Sequence, residues 1–397
     1  MIYERPMNIA FLSTYPPREC GLATFTQDLV LQMSEIQSTS RSKVIAISNE
    51  SMRYDDKVIM ELTQDDRSSY TQTARRLNNS DIELLVIEHE YGIYGGQWGE
   101  YLLDLINNLQ IPFVTTLHTV LPKPDDKQRY ILNVLGQKGQ KIITMAKNTV
   151  DILKNVYGID TSKIEVINHG VPYMPMKSRE RLKAEIGIEN RSVISTFGLL
   201  GPGKGLGYGV EAIAKVAKSH KDVLYFILGQ THPAIKKVSG EDYRKSLETM
   251  VSKLGIEDNV MFVNKYLTKE EIVRYLKLSD IYMTPYLNKD QAVSGTLAYA
   301  AGNGRVIVST PYSYAEEMLS HGRGLLVKFR DSESIADSIE YVLNHPKEKR
   351  EMERKTYEIG KTMIWKYVAE QYKDLFVKVL KHYETVPVSD GNIPVSA

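Results

Sequence analysis

Short runs of apolar residues alternate with longer amphipathic stretches along most of the chain. Runs rich in Val and Ile predict buried β-strands, whereas apolar positions three and four residues apart predict helices. In the first half, strands are predicted at residues 8–13, 43–48, 83–88, 112–117, 141–145 and 163–167. In the second half, they are predicted at residues 193–197, 223–228, 260–263, 281–284, 305–309 and 324–327. Strands that alternate with helices in this way predict an α/β fold with parallel sheets covered on both faces.

The two series of strands predict two Rossmann-like, doubly wound domains. We place the boundary in the turn-rich segment Asn168-His169-Gly170-Val171-Pro172, which gives domains at residues 1–170 and 171–364. Residues 365–383 carry a broad apolar stripe and predict a last helix, which we expect to cross back onto the first domain. Residues 386–397 mix Pro, Ser, Gly and Asp without periodicity, which predicts a mobile tail.

Composition narrows the classes of function. The chain has 397 residues, 42% of them hydrophobic, which is typical of a soluble globular protein. With 50 Lys and Arg against 49 Asp and Glu, its net charge of +1 argues against a nucleic-acid-binding protein. The only cysteine is Cys20, so no internal disulfide is expected, and no Cys/His spacing resembles a zinc site. The first apolar run is too short for a signal or a membrane span, so a cytoplasmic protein is predicted.

In each domain, one glycine-containing loop follows the first predicted strand. Such a loop lies at the edge of the sheet where open parallel sheets bind ligands. The first includes Arg18 and ends in Gly21 at a predicted helix start, where backbone N–H groups can approach an anion. The second spans residues 197–206 and contains four glycines and Lys204, which predicts a phosphate-binding loop with Lys204 as the countercharge. It is neither a Walker loop nor a dinucleotide fingerprint. A plain surface loop and a solvated lysine are the respective alternatives.

Two histidines and a helix start are further candidates. His89 and His118 each follow a predicted strand, where an imidazole can hydrogen-bond sugar hydroxyls or phosphate oxygens. Either histidine could instead hold a neighbouring loop. The sequence Ser294-Gly295-Thr296 opens a helix of small residues, whose first N–H groups can bind a donor's phosphate. The small residues could instead serve close helix packing.

The order of these motifs resembles that of glycosyltransferase family 4, the glycogen-synthase-like retaining transferases with the GT-B fold. The resemblance covers nearly the whole chain. It rests on the loop with Pro16, Pro17 and Gly21, on His118, on Asn168-His169-Gly170-Val171, on the loop with Lys204, on Ala298-Tyr299-Ala300-Ala301-Gly302, and on residues 317–327.

The resemblance implies a retaining hexosyltransferase that requires no metal and has no permanently bound cofactor. Its donor would be a UDP-, GDP- or ADP-sugar bound mostly by the second domain, and a carbohydrate acceptor would bind mostly to the first. Lys204 would stabilise the leaving diphosphate, and His118 would contact the donor sugar. The other assignments are Gly21, Gly203, Ser294, Gly295, Thr296 and Glu317 to the donor, and Arg18, His89 and Tyr91 to the acceptor or sugar.

Two departures from the family pattern keep other functions open. Leu199 and Leu200 stand where the family has an arginine, and Lys289 and Leu297 stand where it has two glutamates, with Asp290 as a shifted substitute. One alternative is therefore a retaining glycoside phosphorylase that uses inorganic phosphate or sugar 1-phosphate. Another is a non-catalytic GT-B module that binds a glycan or a partner. Peripheral membrane contact also stays open, although the chain has no strongly basic amphipathic helix.

Overall fold

The computed structural model describes residues 5–385, which form two parallel β-sheets with helices on both faces. The predicted α/β, doubly wound fold class is confirmed. The predicted tail at residues 386–397 lies outside the described residues.

The first sheet has seven parallel strands in the order β3-β2-β1-β4-β5-β6-β7. They are β1 (Asn8–Ser13), β2 (Arg41–Ser48), β3 (Val58–Thr63), β4 (Leu84–His89), β5 (Phe113–Leu117), β6 (Lys141–Thr144) and β7 (Ile164–Val166). The helices between them are α1 (Gly21–Glu35), α2 (Arg67–Asn78), α3 (Leu102–Asn108), α4 (Asp126–Lys138) and α5 (Asn148–Asn155).

The second sheet has six parallel strands in the order β10-β9-β8-β11-β12-β13. They are β8 (Ser192–Phe197), β9 (Val223–Leu228), β10 (Val260–Val263), β11 (Ile281–Thr284), β12 (Val306–Ser309) and β13 (Gly324–Leu326). Its helices are α6 (Arg179–Ala184), α7 (Leu206–Ser219), α8 (Pro233–Ser239), α9 (Asp242–Leu254), α10 (Lys269–Leu278), α11 (Gly295–Gly302), α12 (Ser313–Leu319), α13 (Ser332–Asn344) and α14 (Pro346–Thr362). The last helix is α15 (Trp365–Thr385).

Most strands lie within a residue or two of their predicted bounds, but β3 was not predicted. It is an edge strand that pairs only with β2, and exposed side chains alternate in it with two partly buried ones and the buried Leu62. Such a strand lacks the continuous apolar run of strands that helices cover on both faces. The sequence pattern therefore predicted only strands with a strongly buried run.

The chain passes between the two sheets at two adjacent points. The backbone N–H of Val171 donates to the carbonyl of Met363 at 2.8 Å, and the N–H of Trp365 donates back to Val171 at 3.0 Å. Beyond this crossing, α15 packs on α1 and on the first sheet, where Phe376 meets Phe11 with ring centroids 6.3 Å apart. Among the described helices, α15 included, none combines the length and hydrophobicity needed to cross a membrane.

Candidate active site

A cleft of about 940 Å³ opens between the two sheets, and residues from both line it. On the first sheet, the loop after β1 and the residue after β5 reach the cleft. On the second, the loops after β8 and β11 do so. These are carboxyl ends of parallel strands, the edge at which open α/β sheets bind ligands.

Gly21 lies in the first wall of the cleft, at the start of α1. A Cβ at this position would have no neighbouring atom within 4 Å, so the space beside Gly21 is open to a ligand. Arg18 also lines the cleft, but its Nη1 donates to the carbonyl of Ile47 at 3.3 Å and to Oε1 of Gln64 at 3.2 Å. Part of its guanidinium is thus engaged within its own domain.

His118 is held by a buried carboxylate. Its Nε2 lies 2.8 Å from Oε2 of Glu88, which has no exposed surface, and the edge of the Phe25 ring packs on it with centroids 4.8 Å apart. Burial raises the pKa of Glu88, and the hydrogen bond with His118 opposes that rise. With Nε2 donating to the carboxylate, Nδ1 is left for a ligand in the cleft.

Lys204 lies in the second wall, in a short 3₁₀ turn after β8. Its Nζ sits 3.9 Å from the centre of the Tyr286 ring, and the ion pairs found within residues 5–385 do not include it. The turn depends on Gly205, whose φ is +62° and whose Cβ, if present, would lie 2.0 Å from the carbonyl oxygen of Pro285. The cation is therefore held without being neutralised.

The start of α11 completes the second wall. Ser294 is buried and caps the helix, because its Oγ accepts from the N–H of Leu297 at 3.3 Å. Thr296 lines the cleft, and its Oγ1 lies 2.8 Å from the hydroxyl of Tyr286. Gly295 also faces the cleft, so the first N–H groups of α11 lie on the same wall as Lys204.

Two family models match the chain: "Glycosyl transferases group 1" at residues 178–359 and "Glycosyltransferase Family 4" at residues 68–173. Sucrose-phosphate synthase from Thermosynechococcus elongatus superposes with a TM-score of 0.75 at 13% identity, covering 95% of this chain and all of that one. HepE from Anabaena, solved with UDP and glucose, superposes with a TM-score of 0.73 at 15% identity, covering 93% and 99%. This chain is a family 4-like glycosyltransferase with the GT-B fold.

Curated relatives of this glycosyltransferase are distant in sequence. D-inositol 3-phosphate glycosyltransferase from a Nocardioides species is 23% identical over 315 residues, which cover 73% of this chain and 66% of the relative. The chain spans between 47% and 66% of the lengths of the first curated relatives that it matches. The family assignment rests on the two family models, and the substrates are taken up below.

The structure corrects the expectation that His89 and Tyr91 of this glycosyltransferase contact a ligand. The His89 side chain has no exposed surface, packs against Tyr91 and Tyr94, and its two ring nitrogens have no hydrogen-bond partner among the described residues. Burial lowers the pKa of His89 to about 3, so it is neutral. The Tyr91 hydroxyl lies 3.5 Å from the carbonyl of Gln128, within the core. Because successive strand residues face opposite sides, Glu88 reaches His118 while His89 points away from it.

Glu317 is also placed differently from the expectation. Its carboxylate accepts the backbone N–H groups of Lys147 and Asn148, each at 2.9 Å, at the start of α5. A carboxylate is stabilised there by the unpaired N–H groups of the helix end. Glu317 thus joins the two domains outside the cleft. Gly203 likewise does not line the cleft, and its carbonyl accepts the N–H of Leu287 at 2.9 Å.

His169 lines the cleft, although the sequence indicated only its place in the hinge. Its Nδ1 lies 2.7 Å from the carbonyl of Gly170, and burial lowers its pKa to about 4. The neutral ring then has an accepting Nε2, which lies 3.0 Å from where a Cβ of Gly295 would be. One signal in the sequence could have indicated that His169 lines the cleft, namely a histidine beside a glycine after a predicted strand.

Several polar contacts bridge the cleft. Gln230 donates to Glu19 at 2.8 Å, the hydroxyl of Tyr266 lies 3.3 Å from that of Thr24, and Lys269 forms an ion pair with Asp28. Burial raises the pKa of Asp28, and Lys269 opposes that rise. The walls therefore touch at the rim in this conformation. Across residues 5–385, no group of three or more His, Cys, Asp or Glu side chains is placed to bind a metal ion.

Proposed function

We propose that this glycosyltransferase moves a hexosyl group from a nucleoside diphosphate sugar to a carbohydrate acceptor, with retention of the anomeric configuration. The observation that carries the proposal is the ammonium of Lys204, which is in the cleft, unpaired within the described residues and on the same wall as the start of α11. HepE, a structural relative, was solved with UDP and glucose and with UDP-glucose. We therefore favour UDP-sugars over GDP- and ADP-sugars as donors.

In this proposal the second domain, residues 171–364, binds the donor. When the bond from the anomeric carbon to the phosphate oxygen breaks, negative charge develops on the diphosphate. Lys204 and the N–H groups at Gly295 and Thr296 are fixed before the reaction, so they stabilise that charge without having to reorganise. Thr296 is oriented for this role by the Tyr286 hydroxyl.

The first domain, residues 1–170, holds the acceptor and the donor sugar. His118 is oriented by Glu88, so that its Nδ1 accepts a hydrogen bond from a sugar hydroxyl. Gly21 leaves room beside α1 for the phosphate of the donor. The acceptor oxygen bonds to the anomeric carbon on the face that the phosphate leaves, and the acceptor's proton passes to the departing diphosphate. The products are a glycoside and a nucleoside diphosphate.

One observation favours a second candidate, a glycoside phosphorylase. Leu297, at a position where the resemblance implies a glutamate, is fully buried in the apolar core of the second domain. The described cleft thus lacks that acid, whereas its cations suit inorganic phosphate as well as a diphosphate. In that reaction phosphate would replace the nucleotide, and the product would be a sugar 1-phosphate.

A two-armed assay tests the proposal. In one arm, the protein is incubated with UDP-, GDP- and ADP-sugars and a panel of mono- and disaccharides, and release of nucleoside diphosphate is measured. In the other arm, it is incubated with phosphate and disaccharides, and sugar 1-phosphate is measured.

We expect turnover in the first arm only, and we expect EDTA not to affect it. NMR of the product should show the anomeric configuration of the donor. Turnover in the second arm alone would replace the proposal by the phosphorylase, and inversion would refute the retaining step. We also propose that this glycosyltransferase is located in the cytoplasm.

A further inference from the structure

A second cavity, of about 390 Å³, lies where the chain passes between the two domains, and it shares no lining residue with the cleft. One wall is the linker at residues 172–179, which leads into α6. The other walls are the end of α10, the turn after α11 and the end of α14. The cavity therefore has walls that are independent of the proposed active site.

Cations dominate the lining of this cavity. Five of its residues are basic and none is acidic, namely Lys177, Arg179, Lys277, Arg305 and Lys361. Three of the five have carboxylate partners outside the lining. Lys177 pairs with Glu185, Lys361 with Glu358 at 2.7 Å, and Arg179 with Glu353 and with Asp280 at 3.4 Å.

Lys277 and Arg305 are the two that form no ion pair within residues 5–385, although the carboxylates of Asp280 and Glu353 lie close enough to Arg305 to favour its charge. The guanidinium of Arg305 donates to the carbonyls of Asn303 and Ser279, both at 3.0 Å, which satisfies hydrogen bonds but does not neutralise the charge. No ion pair found in this part of the chain includes Lys277. Burial, and then the nearby Arg305 and Arg179, lower the pKa of Lys277.

Arg179 adds a second sign of an unmet partner. Its two terminal nitrogens bind Asp280 and Glu353, but its Nε is buried and has no hydrogen-bond partner among the described residues. Unpaired buried donors and clustered like charges are both unfavourable unless a further group satisfies them. An anion in the cavity would offset the clustered positive charge of its lining.

We propose that this cavity is a second ligand site, which binds a small phosphate ester through Lys277, Arg179 and Arg305. Guanidinium and ammonium groups together are a common phosphate-binding set. The volume is at the small end of the range for small-molecule sites and suits a monosaccharide phosphate. The ring of Tyr173, which is 65% exposed, stands at the same cavity and is available to pack on the sugar.

Isothermal titration calorimetry tests this site, with glucose 6-phosphate and inorganic phosphate as probes. The full chain carries Lys204→Ala, so that phosphate binding in the cleft is suppressed. We expect glucose 6-phosphate to bind, the affinity to fall at least tenfold with added Lys277→Gln, and no change with Lys221→Gln, a matched control at an exposed lysine. If inorganic phosphate binds as tightly as the ester, the site takes free phosphate through the same groups.

A second variant separates binding from folding. Tyr173→Ala removes an exposed side chain, so its melting temperature should equal that of the parent, and it should weaken glucose 6-phosphate more than phosphate. The proposal is overturned if neither probe produces heat in the Lys204→Ala protein. It is also overturned if Lys277→Gln and Tyr173→Ala both bind glucose 6-phosphate as tightly as their parent.

Discussion

The two walls of the cleft hold their polar side chains in different ways. In the first domain, His118 is fixed by a hydrogen bond to the fully buried Glu88 and by the edge of Phe25. In the second, Lys204 rests on the face of Tyr286, without an ion pair in the described part of the chain. A ring face attracts a cation but carries no formal charge. The first wall thus fixes the orientation of His118, and the second wall keeps the positive charge of Lys204 available to a ligand.

Removing the cation of the second wall should have the largest effect. We expect Lys204→Ala to reduce kcat by about two to three orders of magnitude, because one partner of the developing phosphate charge is lost. The melting temperature should stay nearly unchanged, since the side chain has no ion pair to lose. Steady-state kinetics and calorimetry check both statements, with Lys221→Ala as the control. Rates near those of the wild type would remove Lys204 from the mechanism.

Filling the first wall should have the next largest effect. We expect Gly21→Leu to lower kcat/KM by about 100-fold, because a side chain there projects into open space that the substrates need. Gly21→Ala is the matched control and should retain most of the activity. If the leucine variant turns over at the rate of the alanine variant, the loop has only a structural role.

The orientation of His118 should matter less than the charge of Lys204. Glu88→Gln keeps the size of the side chain but replaces a charged hydrogen bond by a neutral one, for which we expect kcat to fall by about 10- to 30-fold. Nitrogen NMR of the His118 ring should show a changed tautomer population, which a purely structural effect would not produce. Unchanged kcat together with an unchanged ring spectrum would contradict the assignment of Glu88 as a positioning residue.

The smallest effect concerns His89, the neighbour of Glu88 that faces away from the cleft. The folded-state pKa values of His89 and His169 are depressed to about 3 and about 4. Below the unfolded value near 6.5, protons bind preferentially to the unfolded chain. As the pH falls below about 6.5, each of these two histidines should then lower the free energy of unfolding by about 1.4 kcal/mol per pH unit.

Urea unfolding at pH 7, 6 and 5 measures that loss of stability. In the wild type, both histidines contribute to the fall in the free energy of unfolding between pH 6 and 5. In the His89→Phe variant, that contribution should be about half as large. Activity should be affected much less than in Lys204→Ala, because His89 does not line the cleft. A slope equal to that of the wild type would show that His89 is already charged in the folded protein.

The architecture was accessible from the sequence because alternating apolar runs and amphipathic helices are local patterns. The bounds of β1, β10 and β11 agree with the predicted residues, whereas β3 was missed because an edge strand is only partly buried. The sequence also placed Gly21, His118, Lys204 and Gly295 after strands whose ends line the cleft, since chain order and strand direction together determine that edge.

The remaining site features depend on side-chain direction and on contacts between distant segments. A continuous buried run does not show which of Glu88 and His89 reaches His118, since both faces of the sheet are covered by helices. Glu317 was assigned by motif order, but its carboxylate meets the start of α5, far away in the sequence. Likewise, nothing local indicates that the Tyr286 ring would lie under Lys204.

Binding of nucleoside diphosphates tests most directly the claim that Lys204 grips a departing phosphate. UDP, GDP and ADP are titrated into the wild type and into Lys204→Ala, and the dissociation constants are measured by calorimetry. We predict that at least one of them, UDP first, binds the wild type and binds the variant at least tenfold more weakly. If none of the three binds the wild type, or if the variant binds them equally well, the account of the cleft is contradicted.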